Sequence, residues 1–168
     1  MALTIRPLTP TDDLATFGQI VLASYVRLDG HPADPEYDAE LVDVAGRVAR
    51  ATVFGALDGA TALGCVTYVP DADHPFAEHL GPDEASFRML GVDAAAQGRG
   101  VGAALVETCL RQARAAARQA VFIHSGSWMA AAHRLYGRLG FRRVPERDWL
   151  VPEVGVSLLG FARDVSAA

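Results

Sequence analysis

Gln97-Gly98-Arg99-Gly100-Val101-Gly102-Ala103 lies between a strand-like run, Phe87 to Val92, and an alanine-rich segment with helical spacing. Glycines let a backbone come close to a ligand, and a helix N-terminus offers unpaired N–H groups together with about half a positive charge. A turn of this composition is built to hold phosphates. The nucleoside-triphosphate loop needs a Lys and a Ser or Thr after its last glycine, and Ala103-Ala104 stand in those places. The dinucleotide fingerprint G-x-G-x-x-G/A is met in letters by Gly98, Gly100 and Ala103. Its first glycine should end the strand, yet Asp93 to Gln97 intervene. An acidic residue is also due about 20 positions on, but the next apolar strand, Ala120 to Ile123, ends in His124 and Ser125.

A loop for the diphosphate of coenzyme A is the third reading. Gln97-x-x-Gly100-x-Gly102, after a strand ending Leu90-Gly91-Val92-Asp93, is similar to the acyl-CoA signature of the GNAT superfamily of N-acetyltransferases, Gln/Arg-x-x-Gly-x-Gly/Ala. Ala132-His133-Arg134-Leu135-Tyr136-Gly137-Arg138-Leu139-Gly140-Phe141 resembles the A-x-x-L-Y-x-x-x-G-F segment of the same superfamily. The resemblance implies one GNAT domain over residues 1–168, of α/β (α+β) class. Its central sheet would be mixed and mostly antiparallel, with helices on both faces, splayed at the strands before and after the pyrophosphate-loop helix. The resemblance also implies acetyl-CoA as cofactor and direct acetyl transfer to a primary amine of a small molecule or peptide. A non-catalytic acyl-CoA-binding or sensor module on the same fold is the alternative of a different class, and a nicotinamide-dependent enzyme a third.

Composition bounds these readings. The chain has 168 residues, enough for one domain with a sizeable core, and its 51% apolar and 21% charged residues sit near globular averages. A net charge of −5 disfavours nucleic acid, whose phosphates repel an acidic surface, and suits an amine partner. No leader-like pattern opens the chain and no stretch reaches the ~20 apolar residues that span a bilayer, so a soluble cytoplasmic protein with no membrane partner is expected. Cys65 and Cys109 stand apart, as buried reduced thiols would. His74 and His79, with Asp71, Asp73 and Glu78, follow no zinc spacing, and no metal site is assigned.

Periodicity and turn residues predict the elements. A strand at Leu3 to Arg6 precedes a helix from Thr11-Asp12-Asp13 to about Tyr25, a loop from Arg27 to Asp38, and a helix from Tyr37 to Arg50. Strands Ala51 to Leu57 and Leu63 to Val69 flank Asp58-Gly59, a hairpin signal. Pro70 to Ala85 reads as a long substrate-side connection. The strand Phe87 to Val92 contains Gly91, which suggests a bulge or the close approach of another molecule. There follow a helix Gly100 to Arg118, a strand Ala120 to His124, a helix Met129 to Leu139 stopped by Gly140, and strands Phe141 to Val144 and Val154 to Phe161. The last of these offers an edge for a homodimer.

Site residues follow from the resemblance. Tyr136 matches the position whose hydroxyl protonates the CoA sulfur, although its helix face also suits a core aromatic. Many members place a basic glutamate on the strand before the loop; Ser86 stands six residues before Val92, and Glu84, on the same side, is the nearest carboxylate. His124 has the ordinary pKa range of a base, or of a hydrogen-bonded structural histidine. Leu90, Gly91 and Val92 would line the pantetheine arm and supply an oxyanion-binding N–H. Gln97, Gly98, Arg99, Gly100, Val101, Gly102 and Ala103 would hold the diphosphate. Met129 stands where the superfamily often has an Asn that touches pantetheine. Tyr25, Asp29, Asp34, Glu36 and Tyr37 fall where the superfamily builds its acceptor pocket.

Overall fold

A computed structural model describes residues 1–166. Its contacts divide the chain into two compact units, Met1–Tyr68 with Arg88–Thr108, and Val69–Phe87 with the residues from Cys109 onward.

In the first unit β1 (Leu3–Pro7) runs antiparallel to β2 (Thr52–Asp58), which forms an antiparallel hairpin with β3 (Thr61–Val69). Gly59 takes φ +58° in the turn, the left-handed conformation that the Asp-Gly pair forecast. β4 (Glu84–Val92) is the next neighbour of β3. Helix α1 (Leu14–Val26) begins where the Asp13 carboxylate accepts from the Thr16 N–H at 3.1 Å. Phe17 and Val21 of α1 join Leu41, Val44, Val53, Leu57, Cys65 and Met89 in one buried cluster.

The helix expected over Tyr37 to Arg50 is two helices. Asp34 caps α2 (Pro35–Val42), with Pro35 in the first turn, where no N–H is needed. Asp43 ends α2 and caps α3 (Val44–Val48) by accepting from the Gly46 N–H at 2.9 Å. Arg47, only 2% exposed, holds this break together. Its Nη1 and Nη2 donate to the Glu40 and Leu41 carbonyls in the last turn of α2, and its Nε to Thr67 Oγ1 at 3.0 Å. Helical spacing continues across Asp43, so periodicity alone does not reveal the break.

In the second unit the start of β4 pairs in parallel with β5 (Ala120–Gly126), at Glu84↔Ala120 and Ala85↔Val121. β4 therefore begins three residues before its expected start. β8 (Val156–Asp164) lies antiparallel to β5 along one edge, and to β6 (Arg142–Arg143) and β7 (Trp149–Val151) along the other. Both edges of β8 are thus occupied, which removes the edge expected for a homodimer. Strand β7 was not expected, and β6 is shorter than the predicted Phe141 to Val144. Helices α4 (Val101–Ala115) and α5 (Ala130–Arg138) complete the order. The α4 stripe of Leu105, Val106, Cys109, Leu110 and Ala113 is buried as its spacing requires. Cys65 and Cys109 are both free and buried. Among the described residues no helix is long and apolar enough to cross a membrane.

Candidate active site

The loop before α4 has the geometry its glycines forecast. Gly98 and Gly100 take φ +75° and +80°, and a Cβ added to either would meet no atom within 4 Å. Their need for glycine is therefore conformational, and open space lies beside them. The Ala104 N–H donates to Gly100 O at 3.0 Å, leaving the N–H groups of Val101, Gly102 and Ala103 ahead of it without intrahelical acceptors. Gly100 has no side chain to cap them, and Gln97, Gly98, Arg99 and Gly100 are exposed. Unpaired amides, a left-handed turn and free space fit a diphosphate. Gln97 adds a feature that no motif indicated. With its amide oxygen turned toward Arg27, it accepts from both terminal guanidinium nitrogens, Nη1 at 3.1 Å, which brings a second cation beside the loop.

Strand β4 leads into this loop with a break at Met89, whose φ of +54° is rare for a side chain of its size. The irregularity expected at Gly91 therefore falls two residues earlier. Gly91 answers a different demand: a Cβ there would lie 2.7 Å from Val21 Cα and 2.8 Å from Ser24 Oγ. On its side-chain face the close approach is that of α1. Leu90 and Val92 on either side are half-buried.

The second motif is in large part a helix ending. Phe141 N–H donates to Tyr136 O at 3.0 Å and Gly140 N–H to Gly137 O at 3.2 Å, with Gly140 at φ +84°. These two bonds form a Schellman cap, and its usual apolar contact is the Tyr136–Phe141 ring pair at 5.7 Å. The Gly-Phe of the motif thus locks Tyr136 in place. Tyr136 also packs against Phe87 at 5.9 Å and Phe161 at 5.8 Å, and is buried. Burial, and then the nearby Cys109 thiol, push its phenol well above the usual range, so it stays protonated. Met129 occupies the N-cap of α5 without a side-chain cap bond, and its Sδ receives the Ser125 hydroxyl at 3.7 Å. The same Ser125 Oγ lies 3.2 Å from His133 Nε2.

Glu84 is placed otherwise than a base requires. Arg147 holds its carboxylate with two bonds, 2.7 and 2.8 Å, and the Gly81 N–H adds a third at 2.8 Å. Burial raises its pKa most, but the Arg147 and Gly81 hydrogen bonds together outweigh that and leave it below the usual carboxylate range. A carboxylate so engaged takes protons poorly, and the expectation of Glu84 as base does not fit this arrangement. Arg147 also donates to His79 O at 2.9 Å and lies over the Phe122 ring at 3.5 Å, so Glu84 belongs to a clamp on the Pro70 to Ala85 connection.

Around the first helical connection, Tyr25 and Tyr37 stand edge to face at 6.3 Å. His31, which no sequence signal singled out, stacks on Tyr37 at 6.4 Å and meets Asp38 at 2.8 Å. Asp34 is spent on capping α2. Asp29 and Glu36 are exposed.

Comparison with known proteins decides the family. The model of the Acetyltransferase (GNAT) family matches residues 16–141, three quarters of the chain. The chain belongs to the GNAT acetyltransferase family. It is an N-acetyltransferase that uses acetyl-CoA. Among solved structures it is similar to a GCN5-related N-acetyltransferase from Kribbella flavida, with 26% identity and TM-score 0.71 over 97% of this chain and 98% of that one. It also resembles yncA from Salmonella typhimurium, solved with its cofactor acetyl-CoA, with 20% identity and TM-score 0.72 over 100% and 96%. A third likeness is to the ribosomal-protein-S18-alanine N-acetyltransferase from Escherichia coli, with 20% identity and TM-score 0.64 over 99% and 96%. A search of curated proteins finds no sequence match.

Proposed function

We propose that residues 1–168 act as one catalytic domain that transfers the acetyl group of acetyl-CoA directly to a primary amine of a small molecule or peptide. The observation that carries this reading is the open turn at Gly98 and Gly100, followed by the amides of Val101, Gly102 and Ala103, which have no intrahelical acceptor. Acetyl-CoA supplies the acetyl group as a thioester. Gln97 to Ala103 hold its diphosphate, Arg99 and Arg27 add positive charge, and Leu90, Gly91, Val92 and Met129 line its arm. Tyr136 gives its proton to the departing sulfur. A phenol of raised pKa yields a proton to a thiolate, whose ordinary thiol value is about 8.5, only against the gradient. The acylated nitrogen, positively charged and acidic, therefore refills the phenolate in the same step. An acidic chain with Tyr25, Tyr37, His31 and Asp38 grouped near α1 suits an acceptor that arrives as a cation.

The test is thiol release from acetyl-CoA against a panel of primary amines and short peptides, comparing the native chain with Tyr136→Phe. The substitution lowers turnover about 10- to 1000-fold and leaves calorimetric CoA affinity nearly unchanged. Equal turnover in the two proteins removes Tyr136 from the mechanism.

A further inference from the structure

With Glu84 held by Arg147, the amine's proton needs another acceptor, and β5 presents one. Side chains alternate along β5. Ser125 points toward α5, where it meets His133, whereas Phe122 and His124 face Arg147, His79 and Trp149. His124 Nε2 lies 2.7 Å from the Arg147 carbonyl oxygen. A carbonyl only accepts, so Nε2 carries the hydrogen and Nδ1 keeps the lone pair. The oxygen that sets this tautomer is itself fixed, because the Arg147 side chain is bound to Glu84, to His79 O and over Phe122. Nδ1 has no hydrogen-bond partner among the described residues, and the ring is half-buried.

Resting on the acetyltransfer reading above, we infer that His124 is the general base, its Nδ1 taking the proton of the acceptor ammonium while Arg147 O holds the ring. The proton balance closes. The entering R–NH3⁺ gives one proton to Nδ1, and the imidazolium passes it to water. The freed lone pair forms the C–N bond as the C–S bond breaks toward sulfur. The second proton goes from nitrogen to Tyr136, whose own proton has gone to the sulfur. Along β5 the face toward α5 carries Ser125, and His124 lies on the face toward Arg147.

The surroundings keep the imidazole neutral. Burial lowers its pKa most and the Arg147 carbonyl bond raises it; His79 and Arg147 then oppose a charge that Glu78 favours. Asp148 also feels the ring. The base is accordingly unprotonated at neutral pH, and kcat/KM loses activity only on the acid side of neutrality.

Two measurements test the assignment. Long-range ¹H–¹⁵N correlation on the free protein should show His124 protonated at Nε2 alone at pH 7 and charging only in acid. A proton on Nδ1, or a charged ring at pH 7, overturns the proposal. In the thiol-release assay, His124→Gln should slow acetylation of benzylamine about 100-fold or more and abolish the acidic limb of the profile. Acetylation of hydroxylamine, a nucleophile with no ammonium proton to lose at pH 7, should change less than about threefold on the same reasoning. Parallel loss with both nucleophiles means a structural role, and no loss with either means no role; both outcomes refute the base. A native chain that gives no heat with CoA would instead defeat the acetyltransfer reading on which this rests.

Discussion

At the scale of the residue, glycines of one strand and loop do different physical jobs. Gly98 and Gly100 have left-handed backbones and empty space around them, so a side chain there is opposed by φ alone. Gly91 is opposed by contact, since α1 lies where its Cβ would be. Gly91→Ala forces α1 away from β4 and should cost about 1–3 kcal/mol of stability. Urea denaturation measures this, and an unchanged midpoint would show that α1 gives way freely. Tyr136 was legible both as acid and as core aromatic, and the structure realises the packing half of that reading directly. Arg27 was not legible, because its place beside Gln97 depends on where α1 ends.

At the scale of the element, α5 is well closed and poorly opened. Its C-terminus carries a complete Schellman cap, but Met129 at the N-cap offers no acceptor to the first-turn amides. Met129→Asn should add the missing side-chain bond and raise stability by about 1 kcal/mol. A denaturation midpoint that stays or falls would show the end of β5 holding residue 129 out of capping geometry. Caps also explain which element predictions succeeded. The Asp-Gly hairpin and the Gly140 stop depend on local backbone chemistry and were read correctly. The break at Asp43 was missed, because what maintains it is a buried arginine bonded to Thr67 on a strand 20 residues away.

At the scale of the whole molecule, acids and thiols set the pH window of stability. Asp148 accepts two bonds from Arg143 and one from the Gly160 N–H, which hold its pKa near about 2. Asp12 is held low by Arg6 and Thr9. These groups bind protons less readily folded than unfolded, so their contribution is present above about pH 4 and fades as pH falls toward about 2. Burial pushes the Cys65 thiol from an ordinary 9.0 up to about 12, so the folded chain keeps a proton that the unfolded chain loses. That stability is present below pH 9 and is lost as pH rises toward 12. Denaturation midpoints measured across pH should form a plateau that falls on both sides. A flat alkaline arm, or a thiol reagent that labels Cys65 or Cys109 before unfolding, would contradict the buried-thiol account.

By itself the chain pointed to the family, to the left-handed glycine turn ahead of α4 and to the helix that carries Tyr136. These depend on short-range requirements, a left-handed glycine, a helix start and a helix stop, and such requirements are written in neighbouring letters. Only the tertiary structure decided that Glu84 is bound to Arg147 and that His124 Nε2 meets the Arg147 carbonyl oxygen. Those depend on Arg147, 63 residues from Glu84 and 23 from His124, and no local spacing encodes which side chains the folded chain brings together.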